Sequence, residues 1–421
     1  MLSSARPKSA KRTALAAFSL AAVLAAAGCT GTDPAGGSGD SGDSDTVTIG
    51  FALSQSGPMA PFDVEPGNAA LMRVAQLNAQ GGIGGRQIKA IVKDVRSDPD
   101  TVGTVATELV SEGVNLLVTP CDFDLSAPGA SVAQAASIPA ISICAGDPKM
   151  ADRKTLGDYI FSGNTGSDVE GATGAAWAIQ RGWKSAYVIQ DESIEYTKSA
   201  GKYFRAEFEK QGGTIVGEDA FPGGDNVDIS SQANRLRNLS PKPDFVYVAS
   251  WNPGGATAIR QLRDAGVTAP IVGPAALDGQ VLLGIVGNRA SDIYYTAFAC
   301  YSYCSGSGRN GLDSFVSDYE KQYGAKPASS YALLGYNLIS AVGSSLEGVG
   351  PGSGEQIKAA LENSKPVTTP IGDVRYFSPT CHKITNMPLT VIGVEQGSMK
   401  FVGQQRVDAI PNVGDGNSCA S

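Results

Sequence analysis

The chain has 421 residues, enough for two or three domains with sizeable hydrophobic cores. Its net charge of -8 at pH 7, with no Lys/Arg cluster after the N-terminal segment, argues against a nucleic-acid-binding surface. Beyond that segment no apolar run reaches the ~18 residues that a membrane-spanning helix needs, so the sequence predicts none.

The N-terminus has the pattern of a targeting segment. A basic start from Arg6 onward precedes an apolar core at residues 14–27, and small residues lead into Cys29. The letters AAGC that end at Cys29 resemble a bacterial lipobox, although leucine is more common at the first position. The resemblance implies a lipoprotein signal peptide at 1–28 and lipidation of the Cys29 thiol; the alternative is an ordinary signal peptide beside a chance cysteine. Residues 29–45 are rich in Gly, Ser and Asp and are predicted to form a flexible tether.

From Thr46 onward, short apolar runs alternate with helical patterns. The predicted strands of the first part are Thr46–Leu53, Gln87–Asp94, 114–118, 138–143 and 159–161, and the predicted helices are 67–80, 98–112 and 127–136. The stretch SQSGPMAPFDVEPG, residues 54–67, is predicted to be a loop. Strands that alternate with helices predict a parallel sheet covered by helices.

Cys121 and Cys144 follow the two strands of one βαβ unit, residues 114–146. The crossover in such a unit makes the strands parallel, and parallel neighbours lie about 4.8 Å apart. A disulfide needs Cα atoms roughly 4.4–6.8 Å apart, so the cysteines are predicted to bridge the carboxyl ends of adjacent strands. Open α/β sheets bind ligands at that edge. The disulfide is therefore predicted to brace a ligand cleft; the alternative is that it only stabilises the lobe.

The other cysteines fit an oxidising compartment. Seven cysteines minus a lipidated Cys29 leave six, an even number that allows many pairings. Besides the first pair we favour Cys300–Cys304 and Cys381–Cys419. A CxxC zinc pattern is absent and His382 is the single histidine, so we expect no metal and no cofactor. His382 is expected to be structural, in a segment that connects two lobes.

The pattern of strands and helices starts again after residue 161. The predicted strands are 184–190, 214–220, 244–249, 269–273 and 292–298, with helices at 168–180, 196–211, 228–239 and 254–265. Three more helices, 312–323, 329–346 and 356–363, and two or three strands within 374–402 follow. Two such runs predict an α/β fold with two doubly wound parallel-sheet lobes.

The later elements are predicted to return to both lobes. The helices after Cys304 suit the first lobe and the tail strands suit the second. The chain would then cross between the lobes at three hinges, near 163–165, 290–296 and 368–376. The predicted division is 46–164 plus 297–370 for the first lobe, 165–296 plus 371–406 for the second, and 407–421 for a tail tied back by Cys419.

At this point a family resemblance becomes specific. The chain contains, in order, SGPMAPF, LNAQGGIGGRQIKAIVKD, LLVTPCDFDLSAPG, IPAISICAG, DYIFSGNTGSD, Tyr196, DFVYVASWNPGGA and IVGP. This order resembles the leucine/isoleucine/valine-binding group of type I periplasmic solute-binding proteins, over most of residues 46–402. The resemblance implies two lobes that close on a small solute and deliver it to the permease of an ABC importer. It further implies a monomer on the outer face of the bacterial cytoplasmic membrane, held by its lipid anchor only.

The resemblance also implies candidate ligand-binding residues. Asp122 stands where a hydroxyl residue often binds the ligand carboxylate, and Cys144 to Gly146 stand where backbone amides and a threonine do so. Asp278 is the acid nearest to Ala275, where members that bind amino acids often carry a carboxylate for the ammonium group. The candidate residues are Phe62, Asp122, Phe123, Cys144, Ala145, Gly146, Tyr196, Trp251, Asn252 and Asp278.

The sequence departs from that pattern in ways that affect the ligand. Asp122 would repel a carboxylate, Gly146 lacks the hydroxyl and Ala275 lacks the anion. A cationic, neutral polar or aromatic solute is therefore expected in preference to a branched-chain amino acid. Structural alternatives stay open: Asp122 as a helix cap, Trp251 as lobe packing and Tyr196 as a capping aromatic. Phe62 would either wall the cleft or sit in the core.

Two other functions compete with solute import. A ligand-sensing lipoprotein with a signalling partner would use the same fold. An enzyme using the same cleft is disfavoured, because paired titratable residues are sparse and there is one histidine.

Overall fold

A computed structural model describes residues 46–224, 227–305, 310–385, 387–414, 417 and 419. The predicted signal peptide, the lipidation site Cys29 and the tether lie outside these residues. Within the described ranges, no helix is both long enough and apolar enough to cross a membrane.

The first sheet has five parallel strands, and we call this sheet with its helices the first lobe. The strands are β1 (Thr46–Leu53), β2 (Gln87–Asp94), β3 (Leu116–Thr119), β4 (Ala140–Ser142) and β5 (Ile160–Ser162). Their order is β2-β1-β3-β4-β5, with every pair parallel. The helices between them are α1 (Ala60–Ala79), α2 (Pro99–Ser111), α3 (Phe123–Ala135) and α4 (Arg153–Leu156). The strands β3, β4 and β5 are buried along their whole length, as parallel strands covered on both faces must be.

Two helices of this lobe begin earlier than the sequence predicts. α1 starts at Ala60, within the predicted loop, and carries Pro66 in its interior. α3 starts at Phe123 instead of residue 127, because the Asp122 carboxylate caps it by accepting a hydrogen bond from the Leu125 amide at 3.0 Å. The prolines suggested helix ends, but burial of the first turns outweighs the one backbone hydrogen bond that each proline removes.

The second sheet has eight strands and defines the second lobe. They are β6 (Ser185–Asp191), β7 (Thr214–Phe221), β8 (Phe245–Ala249), β9 (Ile271–Gly273), β10 (Ile293–Ala297), β11 (Cys304–Ser305), β14 (Leu389–Glu395) and β15 (Ser398–Gln405). A separate two-stranded hairpin lies between them in sequence, β12 (Val367–Thr369) with β13 (Gly372–Val374). The order in the large sheet is β11-β15-β14-β10-β9-β8-β6-β7.

The second sheet is mixed, where the sequence predicted only parallel strands. β6 to β10 are parallel, but β14 runs antiparallel to both β10 and β15. The reason is the turn at Gln396 and Gly397, whose φ angles are 49° and 73°. Two residues with positive φ form the tight turn of a β-hairpin, which forces antiparallel pairing.

The remaining helices cover the two sheets. They are α5 (Ser167–Gln180), α6 (Glu195–Lys210), α7 (Ser230–Asn238), α8 (Gly254–Asp264), α9 (Gln280–Val286), α10 (Asn310–Tyr323), α11 (Ala332–Leu346) and α12 (Gly354–Glu362). The sequence did not predict α9. α11 packs on α1 of the first lobe, where Arg73 donates to the Ser340 hydroxyl at 2.9 Å and Tyr336 donates to Gln76 at 2.8 Å.

Three disulfides join the pairs that the sequence favoured. Cys121 and Cys144 bridge the loops after β3 and β4, with Cα atoms 4.4 Å apart. The Cα atoms are 5.4 Å apart in Cys300–Cys304 and 5.1 Å apart in Cys381–Cys419. The last bond ties residue 419 back to the segment that precedes β14.

Candidate ligand-binding cleft

A cavity lies where the strand ends of the two lobes face each other. Its volume is about 290 Å³, which includes space open to solvent at its mouth. Its first-lobe wall follows the carboxyl ends of β1, β3 and β4, and its second-lobe wall follows those of β6, β8 and β9. The lining residues are Met59, Phe62, Cys121, Asp122, Cys144, Gly146, Ile194, Tyr196, Trp251, Ala276 and Tyr331.

The structure places the predicted residues in two groups. Those that line the cavity are Phe62, Asp122, Cys144, Gly146, Tyr196 and Trp251. Phe123, Ala145, Asn252 and Asp278 lie outside its lining. The Asp278 carboxylate is directed away, where it accepts a hydrogen bond from the Ser330 amide at 2.6 Å. It therefore does not supply the acid that Ala275 lacks.

The other three residues outside the lining have structural contacts. The Phe123 ring packs under the Lys149 ammonium group at 5.7 Å. The Ala145 amide donates to the Ser142 hydroxyl at 2.8 Å. The Asn252 amide donates to the Ala276 carbonyl at 3.0 Å, which fixes the loop that carries Trp251.

Asp122 is both a helix cap and a cavity wall. Its side chain is 3% exposed. Oδ1 accepts the capping hydrogen bond, while Oδ2 has no hydrogen-bond partner among the described residues. Burial, reinforced by the nearby carboxylate of Asp124, raises the pKa of Asp122 to about 7. A polar atom buried in this way is costly, unless a bound molecule supplies its partner.

A buried acid that sequence reasoning missed holds Tyr196. The Tyr196 hydroxyl donates to Glu170 Oε2 and accepts from the Ala276 amide at 3.2 Å. Glu170 Oε2 also accepts from the Ala275 amide at 2.9 Å. Burial raises the pKa of Glu170 to about 7. Its signal was an acid two residues after Asp168 in α5, a helix rich in small and apolar residues.

Gly146 leaves room for the Tyr196 ring. A Cβ atom at position 146 would lie 2.7 Å from Cδ2 and Cε2 of that ring, closer than real Cβ contacts. The absence of a hydroxyl-bearing residue at position 146 therefore has a steric cause, because the Tyr196 ring leaves no space for its side chain. Tyr196, from the second lobe, fills the place beside the first-lobe backbone that a longer side chain would take.

Aromatic rings form one side of the cavity. The Phe62 ring lies 5.8 Å from that of Trp251 and 5.3 Å, edge to face, from that of Tyr331. Trp251 Nε1 donates to the Ser193 hydroxyl at 3.1 Å, which orients the indole. Tyr331 directly precedes α11 and was missed, because no strand precedes it in sequence.

A second missed acid supports the wall from behind. The Asp63 carboxylate is fully buried and accepts hydrogen bonds from the Ser54 and Cys121 amides, both at 2.7 Å. Burial raises the pKa of Asp63 to about 6. This one side chain fixes the loops after β1 and β3, and with them Cys121 and Asp122.

The two lobes also touch at the rim of the cavity. The Asp124 carboxylate of α3 accepts a hydrogen bond from the Glu195 amide of α6 at 3.0 Å. The Lys149 ammonium group forms an ion pair with the Glu195 carboxylate. Both contacts join the first lobe to the second and narrow the entrance.

His382 is a packed residue away from the cavity. Its ring stacks on Phe161 at 4.0 Å, with Nδ1 2.9 Å from the Ile160 carbonyl and Nε2 3.1 Å from Glu362 Oε1. Burial lowers its pKa. Across the described part of the chain, no three His, Cys, Asp or Glu side chains are grouped to hold a metal ion.

Two lobes and one shared cavity define a bilobal ligand-binding protein, and comparison with known proteins agrees. The sequence pattern of the family described as "Periplasmic binding protein" matches residues 46–398. The Leu/Ile/Val-binding protein BraC3 of Rhizobium johnstonii is 26% identical over 332 residues, which cover 78% of this chain and 87% of that protein.

Solved structures share the fold. The substrate-binding protein LivJ of Streptococcus pneumoniae, in complex with isoleucine, has a TM-score of 0.74 at 24% identity and covers 86% of this chain and 99% of its own. A solute-binding protein of an ABC transporter from R. palustris, in complex with benzoate, has a TM-score of 0.72 at 21% identity, covering 87% and 98%. The chain belongs to the periplasmic binding protein family and has its type I fold.

Proposed function

We propose that the protein is the extracytoplasmic, lipid-anchored substrate-binding component of an ABC importer, and that it captures a small solute between its lobes. The observation that carries the proposal is a cavity at the strand ends that both lobes wall. A solute there contacts Asp122 on one side and Trp251 on the other, so binding favours the arrangement in which the lobes meet. The same arrangement forms the rim contacts of Glu195.

Capture in this form requires no chemistry on the solute. Two carboxyl groups near the cavity have different structural roles. Asp122 caps α3, and Glu170 holds Tyr196 and Ala275. A receptor of this kind would pass an unchanged solute to permease subunits, with residues 29–45 as the tether to the membrane.

Native mass spectrometry of protein purified without refolding identifies a retained solute, and uptake of that solute by cells lacking the gene tests its role. We expect an intact bound molecule and a loss of uptake. Conversion of the molecule by the purified protein would instead indicate an enzyme. Normal uptake with a lost transcriptional response would favour a sensor.

A further inference from the structure

The cavity presents negative charge and no positive charge to a ligand. Asp122 belongs to its wall, is 3% exposed, and has an Oδ2 atom without a hydrogen-bond partner among the described residues. None of the described residues that line the cavity is a lysine, an arginine or a histidine. A ligand that donates to Oδ2 satisfies a buried acceptor, and a positively charged donor makes the stronger hydrogen bond.

Five hydrogen-bond donors near the strand ends are already used within the protein. The Cys121 amide donates to Asp63, and the Ala145 amide to Ser142. The Ala275 amide donates to Glu170 and the Ala276 amide to the Tyr196 hydroxyl. Tyr196 itself donates to Glu170. An anionic or zwitterionic ligand could use these five donors only by breaking internal bonds.

The rest of the lining suits a cation with an apolar body. Phe62, Trp251 and Tyr331 present aromatic rings, whose faces attract cations within about 6 Å. Met59, Ile194 and the Cys121–Cys144 disulfide supply the apolar surface. The cavity is small, so the ligand it suits is a small molecule.

We infer that the solute is a small organic ammonium ion, whose charged nitrogen binds Asp122 Oδ2 and whose apolar substituent lies among the aromatic rings. This inference rests on the proposed function and gives it a substrate class. The charge pairing comes from the first lobe and the main aromatic contact, Trp251, from the second, so the ammonium ion links the lobes.

The inference predicts a pH dependence. The charged groups that act on Asp122 are Asp124 on its own helix, Asp63 from α1 and Asp147 from the loop after β4. All are acidic, and with burial they hold the pKa of Asp122 at about 7. An ammonium ion binds the ionised form, so its affinity should be highest above pH 7 and fall as the pH drops towards 5. Alkylammonium ions, with pKa values near the ~10.4 of lysine, stay charged over this range.

The test compares four probes by calorimetry and thermal shift: n-butylammonium, butyramide and butyrate, which are similar in size, and the larger zwitterion leucine. We expect n-butylammonium to bind best. Asp122→Asn keeps an oxygen for the α3 cap but removes the charge, and should weaken n-butylammonium binding by about 10- to 100-fold. Asp98→Asn is the matched control, because Asp98 caps α2 in the same way on an exposed surface. It should leave binding unchanged.

The outcomes separate this inference from the proposed function. Tighter binding of butyramide, butyrate or leucine would overturn the ammonium assignment and leave solute capture intact. Unchanged n-butylammonium binding in Asp122→Asn, or affinity that rises on acidification, would overturn it as well. If none of the probes binds and the purified protein retains no solute, solute capture itself fails.

Discussion

Buried carboxyl groups set the character of this cleft at the scale of single residues. Asp63, Asp122 and Glu170 each have a raised pKa, because each lies in the interior with few or no compensating charges. Their hydrogen bonds position the walls: Asp63 fixes Cys121, Asp122 caps α3 and Glu170 orients Tyr196. The cleft is therefore organised by acids, and its remaining surface is apolar.

Asp122 should make the free energy of unfolding depend on pH. Its folded-state pKa of about 7 lies above the 3.8 of an unperturbed aspartate, which represents the unfolded chain. Between these pH values the folded protein binds more protons than the unfolded chain. Stability from this group is fully present below pH 3.8 and is lost as the pH rises through 7. In Asp122→Asn the fall in free energy of unfolding from pH 5 to pH 8 should shrink by more than about 1 kcal/mol.

Urea denaturation at the two pH values measures that difference. Asp98→Asn serves as the control. Asp98 is exposed, and hydrogen bonds from Thr101 lower its pKa instead of raising it. An identical pH slope in wild type and Asp122→Asn would contradict the prediction.

Gly146→Ala should disturb the cleft through one methyl group. The new Cβ would lie 2.7 Å from the Tyr196 ring, so the ring must move and its hydrogen bond to Glu170 must weaken. We expect a loss of about 1–3 kcal/mol of stability, as for other overpacked sites, and a reduced ligand-induced shift in melting temperature. Gly174→Ala is the control, because its Cβ would meet Tyr247 at an ordinary 3.5 Å within α5. Equal melting temperatures for the two variants would show that Tyr196 adapts freely.

At the scale of elements, the Cys121–Cys144 disulfide fastens the loops after β3 and β4. Its cysteines are separated by 23 residues, and a loop of that length contributes about 3 kcal/mol in the chain-entropy model. The double variant Cys121→Ala/Cys144→Ala should lose about that much and bind solute more weakly, since both sulfurs border the cavity. Cys300→Ala/Cys304→Ala, with a separation of 4, should lose less and keep its affinity. Chemical denaturation and calorimetry check both, and free thiol at Cys121 in the wild type would contradict the pairing.

The elements also show what the sequence could and could not predict. Periodicity identified most strands within a few residues, because buried parallel strands are short apolar runs between helices. The starts of α1 and α3 were wrong, because the prolines masked turns that tertiary burial stabilises. Glu170 and Tyr331 were missed in the site, because their positions depend on how α5 and α11 pack against the strand ends. Asp122 was found through the family resemblance, which places a ligand-binding residue in the loop after β3.

At the scale of the whole molecule, the proposed anchor determines where the receptor works. Residue 29 lies outside the described structure, so the prediction depends on the sequence pattern at AAGC. In its own kind of host the protein should carry lipid and partition into detergent, and Cys29→Ala should release it. Fractionation and mass spectrometry of the N-terminus check this. Full membrane retention of the variant would contradict lipid anchoring.

Closure requires that both lobes hold the solute, and Trp251 is the residue that tests the second lobe. A ligand at a hundredfold excess over its Kd adds about 2.7 kcal/mol of stability. In domains of 150–250 residues this raises the melting temperature by roughly 2–4 °C per kcal/mol. Trp251→Ala should remove most of that shift, because the indole packs on Phe62 across the cavity.

Trp183→Ala provides the contrast for the same measurement. Trp183 packs on Trp177 and Phe245 within the second lobe, outside the cavity lining. Loss of the Trp183 side chain should lower the melting temperature measured in the absence of solute. The shift in melting temperature that the ligand induces should be preserved. The opposite pattern, a preserved shift in Trp251→Ala and a lost one in Trp183→Ala, would place binding inside the second lobe. The cavity between the lobes would then not be the site, and closure around a shared solute would have no physical basis.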